Sequence, residues 1–203
     1  MKTIGFDKEY LELIQEMSTN LDEYQDWLAL KERKIYFNQE VDASIVNRIV
    51  YWIQHWNAED DKAGLVGDQR PHITIEITSG GGDVITGFAA IDAIKRSKTK
   101  VITKGIGLCA SMGALLLMSG HLRVAYPNTV ILLHDGSMAV SSTSKKAKNT
   151  MNFYDRLDER IKQYILSNTK ISADLYDEKE DEEWYLFADT DGLEHGIIDE
   201  IIN

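Results

Sequence analysis

Apolar positions along the chain switch between a period of two and a period near 3.6. Residues 72–77 read His-Ile-Thr-Ile-Glu-Ile, a strict alternation that predicts a half-buried strand. Residues 101–106 predict a second strand and β-prone residues 34–37 a short early one. Residues 123–126 and 130–133 predict two more around the turn Pro127-Asn128, and residues 184–187 a late one. Helical spacing runs through Ile45, Val46, Ile49, Ile53 and Trp56, predicting a helix over 41–56 with Asp42 as a cap. It recurs at Val84, Phe88, Ile91 and Ile94, in the apolar stretch 112–118, and over 144–167 through Met151, Tyr154, Leu157, Ile161 and Ile165. Residues 1–33 also read as helical and acidic, with Tyr10, Leu11, Leu13, Ile14 and Met17, then Leu21, Tyr24, Trp27, Leu28 and Leu30, at near-helical spacing. Residues 57–71 are polar, carry Gly64, Gly67 and Pro71, and read as a loop. Strands alternating with helices imply βαβ units and a largely parallel sheet, an α/β fold.

The chain has 203 residues, enough for one domain with a short appendage. Its 22 basic and 33 acidic side chains give a net charge of −11. That balance argues against a nucleic-acid partner, which needs a basic footprint, and against a protein held on anionic lipid. The charge is uneven: residues 171–203 carry twelve acidic side chains against Lys179 alone, so the rest of the chain is neutral. Such a run reads as a solvated face. A single cysteine excludes an intrachain disulfide and a cysteine-built zinc site. The longest apolar stretches are too short to span a bilayer, and the first residues lack the apolar core of a secretory signal. The expectation is a protein of the cytoplasm.

Three places carry chemistry. Thr78-Ser79-Gly80-Gly81-Gly82 follows a strand and opens a helix. It has neither the lysine of a P-loop nor dinucleotide-fold spacing, which leaves a tight turn or a backbone nest for an oxyanion. Gly107-Leu108-Cys109-Ala110-Ser111-Met112-Gly113 is a second strand-to-helix passage. A serine there is ordinarily a helix cap. Small neighbours on both sides leave room for substrate at Ser111 and aim the Met112 amide at the same point, as in a nucleophile elbow. Cys109, before the turn, reads as a small buried apolar residue. His134 ends the apolar strand 130–133, which would lie beside the strand feeding Ser111. His55, His72, His121 and His195 lack such a setting, and no metal-ligand spacing occurs. Ser111, His134 and a downstream carboxylate then form a consistent set, with Gly82 and Met112 as amide donors from two loops.

These segments resemble the proteolytic subunit of the ATP-dependent caseinolytic protease, ClpP, over residues 28–202. The matching stretches are Leu30 to Phe37, Ile77-Thr78-Ser79-Gly80-Gly81-Gly82, Gly107 to Leu116, and Pro127 to His134. The resemblance implies a ClpP/crotonase-type fold of repeated β-β-α units with a protruding handle helix over about 144–167. It divides the chain into an extension, 1–33, and a peptidase domain, 34–203. It makes Ser111 the nucleophile, His134 the base, and the Gly82 and Met112 amides the oxyanion hole. Aligning Tyr185-Leu186-Phe187-Ala188 puts Glu183 at the family's aspartate, with Asp181 and Glu182 as alternatives. One carboxylate of the acidic run is therefore expected to be buried and hydrogen-bonded.

The implied activity is endopeptidase cleavage of peptides or unfolded proteins, with no cofactor and no metal, inside a homo-oligomer of two stacked heptameric rings. A hexameric ATPase unfoldase is the implied partner, although the N-terminal residues do not resemble the axial hairpin that meets it. Gly80 replaces the family's proline, Asp135-Gly136 replaces Gln-Pro after the histidine, and the loop at 57–70 is longer. Two other readings share the fold: a catalytically impaired subunit contributing architecture only, and a crotonase-like acyl-CoA enzyme.

Overall fold

The computed structural model describes residues 21–136 and 143–202. The helix expected around Tyr10 to Met17 lies outside them. In chain order the elements are α1 (Leu21–Lys31), β1 (Lys34–Phe37), α2 (Ala43–Lys62), β2 (Ile73–Ser79), α3 (Val84–Lys95), β3 (Val101–Ala110) and α4 (Met112–Leu117). They continue with β4 (Leu122–Ala125), β5 (Val130–Leu133), α5 (Ser144–Asn168), α6 (Ala173–Lys179), β6 (Trp184–Phe187) and β7 (Glu200–Ile201). Strands β1-β2-β3-β4-β7 form a parallel path. The second half of β3 leaves β4 and pairs with β5, and β5 pairs antiparallel with β6. The fold is α/β, as the strand–helix alternation implied.

The predicted alternation in β2 is realised: Ile73, Ile75 and Ile77 are fully buried. They face Ile45, Ile49, Ile53 and Trp56 of α2 and Ile91 and Ile94 of α3 in one core. Asp42 caps α2 by accepting from the Ser44 and Ile45 amides at 2.9 and 3.1 Å. Asp83 caps α3 by accepting from Thr86 N at 2.5 Å.

Two boundaries differ from the sequence reading by more than two residues. Helix α2 does not end at Trp56 but runs to Lys62, so the first six residues of the expected loop are helical. The reason is Asp60, which takes the next core-facing position although it is charged. Arg33 clasps its carboxylate with two hydrogen bonds of 2.9 and 2.7 Å, and Thr99 Oγ1 donates a third at 2.7 Å. Strand β3 does not end at Ile106 but continues to Ala110, through a register shift opposite Ile77 and Ser79 and a positive φ at Gly107. A glycine that looks like a strand end is a bulge that re-aims the strand.

Helix α5 is 25 residues long, yet only Ile165 is buried. Ile161, Tyr164 and Leu166 pack against the core, while Met151 and Phe153 near its start are exposed. Its C-terminal half is seated on the body and its N-terminal half stands clear. Arg123 holds the far end: it donates to Asn168 O at 2.6 Å and Gly196 O at 2.8 Å, and its guanidinium pairs with Asp199. The acidic run is partly helical, as α6, and that helix buries no residue.

Asp60 yields a stability prediction. Burial alone would raise its pKa. The hydrogen bonds from Arg33 and Thr99 and the charges of Arg33 and Arg70 outweigh burial and hold the carboxyl below its usual range. Asp60→Asn keeps the shape but leaves Arg33 facing a neutral partner. It should cost about 3 kcal/mol at pH 7, read from urea unfolding. A carboxyl depressed on folding stabilises above its unfolded pKa, and this stability is lost as pH falls through the folded value. The gap between wild type and variant should therefore close well below about pH 4. A gap unchanged down to about pH 2 would count against the charge as the cause.

Candidate active site

Ser111 sits between β3 and α4 with φ 53° and ψ −124°. A left-handed φ at a non-glycine residue stores strain, and it turns the side chain out of the strand–helix corner. The hydroxyl makes no capping hydrogen bond to α4. Ser111 therefore occupies the cap position without serving as a cap, which leaves Oγ available for chemistry. Its amide is pinned by a 2.8 Å hydrogen bond to Leu132 O, so β5 fixes the elbow directly.

The approach to Ser111 is kept open by glycine. A Cβ on Gly81, whose φ is +105°, would lie 2.7 Å from Ser111 Cβ and 3.2 Å from its Oγ. A Cβ on Gly82 would collide with Val41 O at 2.4 Å. Val41 N donates to Gly81 O at 2.7 Å and Asp83 N donates to Val41 O at 2.8 Å. The Gly82 amide lies between these bonds, and among the described residues neither it nor the Met112 amide meets an acceptor. Two free N–H groups at successive strand–helix turns are the arrangement an oxyanion requires.

His134 follows β5. The β5–β6 register pairs Leu133 with Trp184, and one step further sets His134 opposite Glu183. His134 Nδ1 and Glu183 Oε1 are 3.2 Å apart, and the other carboxylate oxygen accepts from Tyr185 OH at 3.3 Å. Glu182 instead accepts from Lys179 at 3.0 Å, and Asp181 makes no hydrogen bond to His134 among the described residues. The expected burial of the acid is not found: the Glu183 side chain is 58% exposed, because it precedes edge strand β6 rather than lying within the sheet. Ser111 and His134 line one cavity of about 50 Å³ whose walls include Met112, Leu115, Leu133, Ile165 and Trp184.

The remaining candidates fall outside this cluster. Cys109 is buried, donates to Ile77 O at 3.3 Å, and has its thiol pushed up to about 12 by burial, so it holds its proton at neutral pH. His121 Nδ1 accepts from Val101 N at 2.9 Å and is a turn residue. Among the described residues, no three His, Cys, Asp or Glu side chains are grouped to hold a metal ion, and no helix is long and apolar enough to cross a membrane. Sequence reasoning missed Tyr185 and Gly81. Tyr185 had a readable signal, since two residues from Glu183 along a strand is the same face.

Residues 16–203 match the family model for Clp protease. The chain belongs to the Clp protease family. It is 31% identical over 175 residues to the ATP-dependent Clp protease proteolytic subunit 2 of Thermobifida fusca (strain YX), covering 85% of this chain and 82% of that protein. It is 30% identical over 177 residues to the proteolytic subunit 3 of Parasynechococcus marenigrum (strain WH8102), covering 85% and 83%. A subunit 2 from Tropheryma whipplei (strain Twist) is 29% identical over 175 residues, covering 85% and 92%. The family is one of proteases, and the match spans β1 to β7 and every residue of the cluster around Ser111.

Proposed function

We propose that this chain is a serine endopeptidase acting on peptides or unfolded proteins. The observation that supports it most is Ser111 held at a strained elbow, its hydroxyl unused as a cap, in one cavity with His134, whose Nδ1 meets Glu183. Glu183 accepts from the Nδ1 side of the ring, which leaves Nε2 unprotonated and able to act as base. Nε2 takes the Ser111 proton as Oγ attacks the peptide carbonyl. The carbonyl π electrons move onto oxygen, and the Gly82 and Met112 amides hold the resulting oxyanion. Collapse breaks the C–N bond, the imidazolium gives its proton to the departing amine, and water then releases the acyl group by the same steps. The cavity beside Ser111, walled mainly by apolar side chains with Lys179 and Glu180 also lining it, suits an apolar side chain on the acyl side of the cleaved bond.

The reading extends to a cytoplasmic homo-oligomer of two stacked heptameric rings, fed by a hexameric ATPase. The half of α5 that stands clear of the body, with Met151 and Phe153 exposed, suits contact between subunits. A fluorophosphonate probe tests the chemistry. It should form a covalent adduct on Ser111 of the assembled protein, alongside hydrolysis of a short fluorogenic peptide with an apolar residue before the scissile bond. Assembly without adduct or hydrolysis would favour a subunit that contributes architecture only.

A further inference from the structure

Helix α4 is only six residues long, and both its ends matter. Its N-terminus carries Ser111 and the Met112 amide. Its last carbonyls run out of regular helical donors, as at any helix end, although Leu116 O still accepts from the Ser119 amide at 3.1 Å. Side-chain hydroxyls supply them: Ser119 Oγ donates to Leu116 O at 2.6 Å and Thr103 Oγ1 to Leu117 O at 2.6 Å. Leu115 O receives the third, from Tyr164 OH at 3.1 Å. Ser119 and Thr103 lie beside α4 in the sheet and its flanking turn, whereas Tyr164 belongs to α5, 49 residues away.

The same tyrosine reaches a second helix. Its ring meets Phe88 of α3 edge-on, with centroids 6.1 Å apart and an interplanar angle of 87°. Helix α3 is the one that follows Gly82, through its cap Asp83. One residue earlier on α3, Gly87 packs directly on Met112: a Cβ there would lie 2.7 Å from both Met112 Cγ and Cε. Burial pushes the Tyr164 phenol well above its ordinary pKa, so it remains a donor.

We propose that Tyr164 is a positioning residue for the oxyanion site, fixing α4 and α3 against each other and against α5 so that the Met112 and Gly82 amides converge on one oxygen. This rests on the reading of those amides given above. A donor pair gains its effect from being set before reaction, and a displacement of under an ångström weakens it while leaving the apolar cavity in place. Ground-state binding and transition-state binding then respond differently.

Tyr164→Phe removes only the hydroxyl. It should lower kcat for a fluorogenic peptide about tenfold with KM within twofold of wild type. A peptide boronate, whose tetrahedral adduct with Ser111 carries the negative charge, should bind about tenfold more weakly, while a product peptide binds unchanged. A role confined to stability would lower the unfolding temperature and leave kcat, KM and boronate affinity of the folded enzyme as they were, and that result overturns the proposal. If Tyr164→Phe does not fold, Phe88→Leu loosens the ring contact, keeps the hydroxyl, and should show the same split. If the wild type itself shows no Ser111-dependent hydrolysis, the protease reading falls. Amide exchange over residues 112–118 then decides the tie: faster exchange in Tyr164→Phe upholds it, and unchanged exchange rejects it.

Discussion

Ser111→Ala is expected to lower kcat by at least about 10³-fold and to abolish fluorophosphonate labelling, with the fold unchanged. Losing the nucleophile removes the covalent pathway, and what remains is catalysis by the oxyanion donors acting on bound substrate with water. The structure makes this a clean substitution. Ser111 Oγ makes no capping bond to α4, so alanine costs no cap, and the backbone at φ 53° is as strained for alanine as for serine. Thermal unfolding should therefore coincide with wild type. Cys109 does not stand in as a nucleophile, because it is buried with its thiol pushed up to about 12. His134→Ala should be nearly as severe, and the double variant little worse than either, since nucleophile and base act as a unit. Retention of more than about a tenth of wild-type kcat in Ser111→Ala would remove Ser111 from the nucleophile role.

How far the sequence carries this picture depends on whether the relevant interaction is local. The β2 alternation, the cap Asp42 and the small residues around Ser111 are local, and all were legible. The convergence of Ser111 and His134 followed from two apolar strands entering glycine-marked turns, and the pairing of β3 with β5 realises it. What escaped was set at a distance. The last turn and a half of α2 exists because Arg33, 27 residues earlier, neutralises Asp60. Without that partner, Glu59, Asp60 and Asp61 read as solvent. The length of β3 was hidden by Gly107, since a bulge and a strand end use the same glycine. The Tyr164 contact joins elements 49 residues apart and leaves no periodic trace. The acid is an intermediate case. Resemblance put Glu183 first among three carboxylates, and only the antiparallel register of β5 and β6 gives a physical reason to separate it from its neighbours.

That register makes the second large effect specific. Glu183→Gln should lower kcat by about 10²- to 10⁴-fold with KM nearly unchanged, because Glu183 touches the histidine and not the apolar cavity. The amide keeps the side chain's shape but carries no charge. It cannot stabilise the imidazolium that forms as Ser111 loses its proton, and its NH₂ group can turn the ring to the wrong tautomer. The exposure of Glu183 sets where the effect falls in that range: a carboxylate reached by water is screened, so its loss should be milder than that of a fully buried acid. Tyr185→Phe frees one carboxylate oxygen while keeping the charge and should cost less than about tenfold. Asp181→Asn and Glu182→Gln serve as matched controls. Each removes the same charge from the same run, yet Glu182 is tied to Lys179 and neither is bonded to His134. Both should stay within about twofold of wild type. Equal losses in all three variants would mean that His134 responds to the summed field of the acidic run, whereas a loss confined to Glu183 assigns the orienting role to the one carboxylate placed opposite it across the β5–β6 pair.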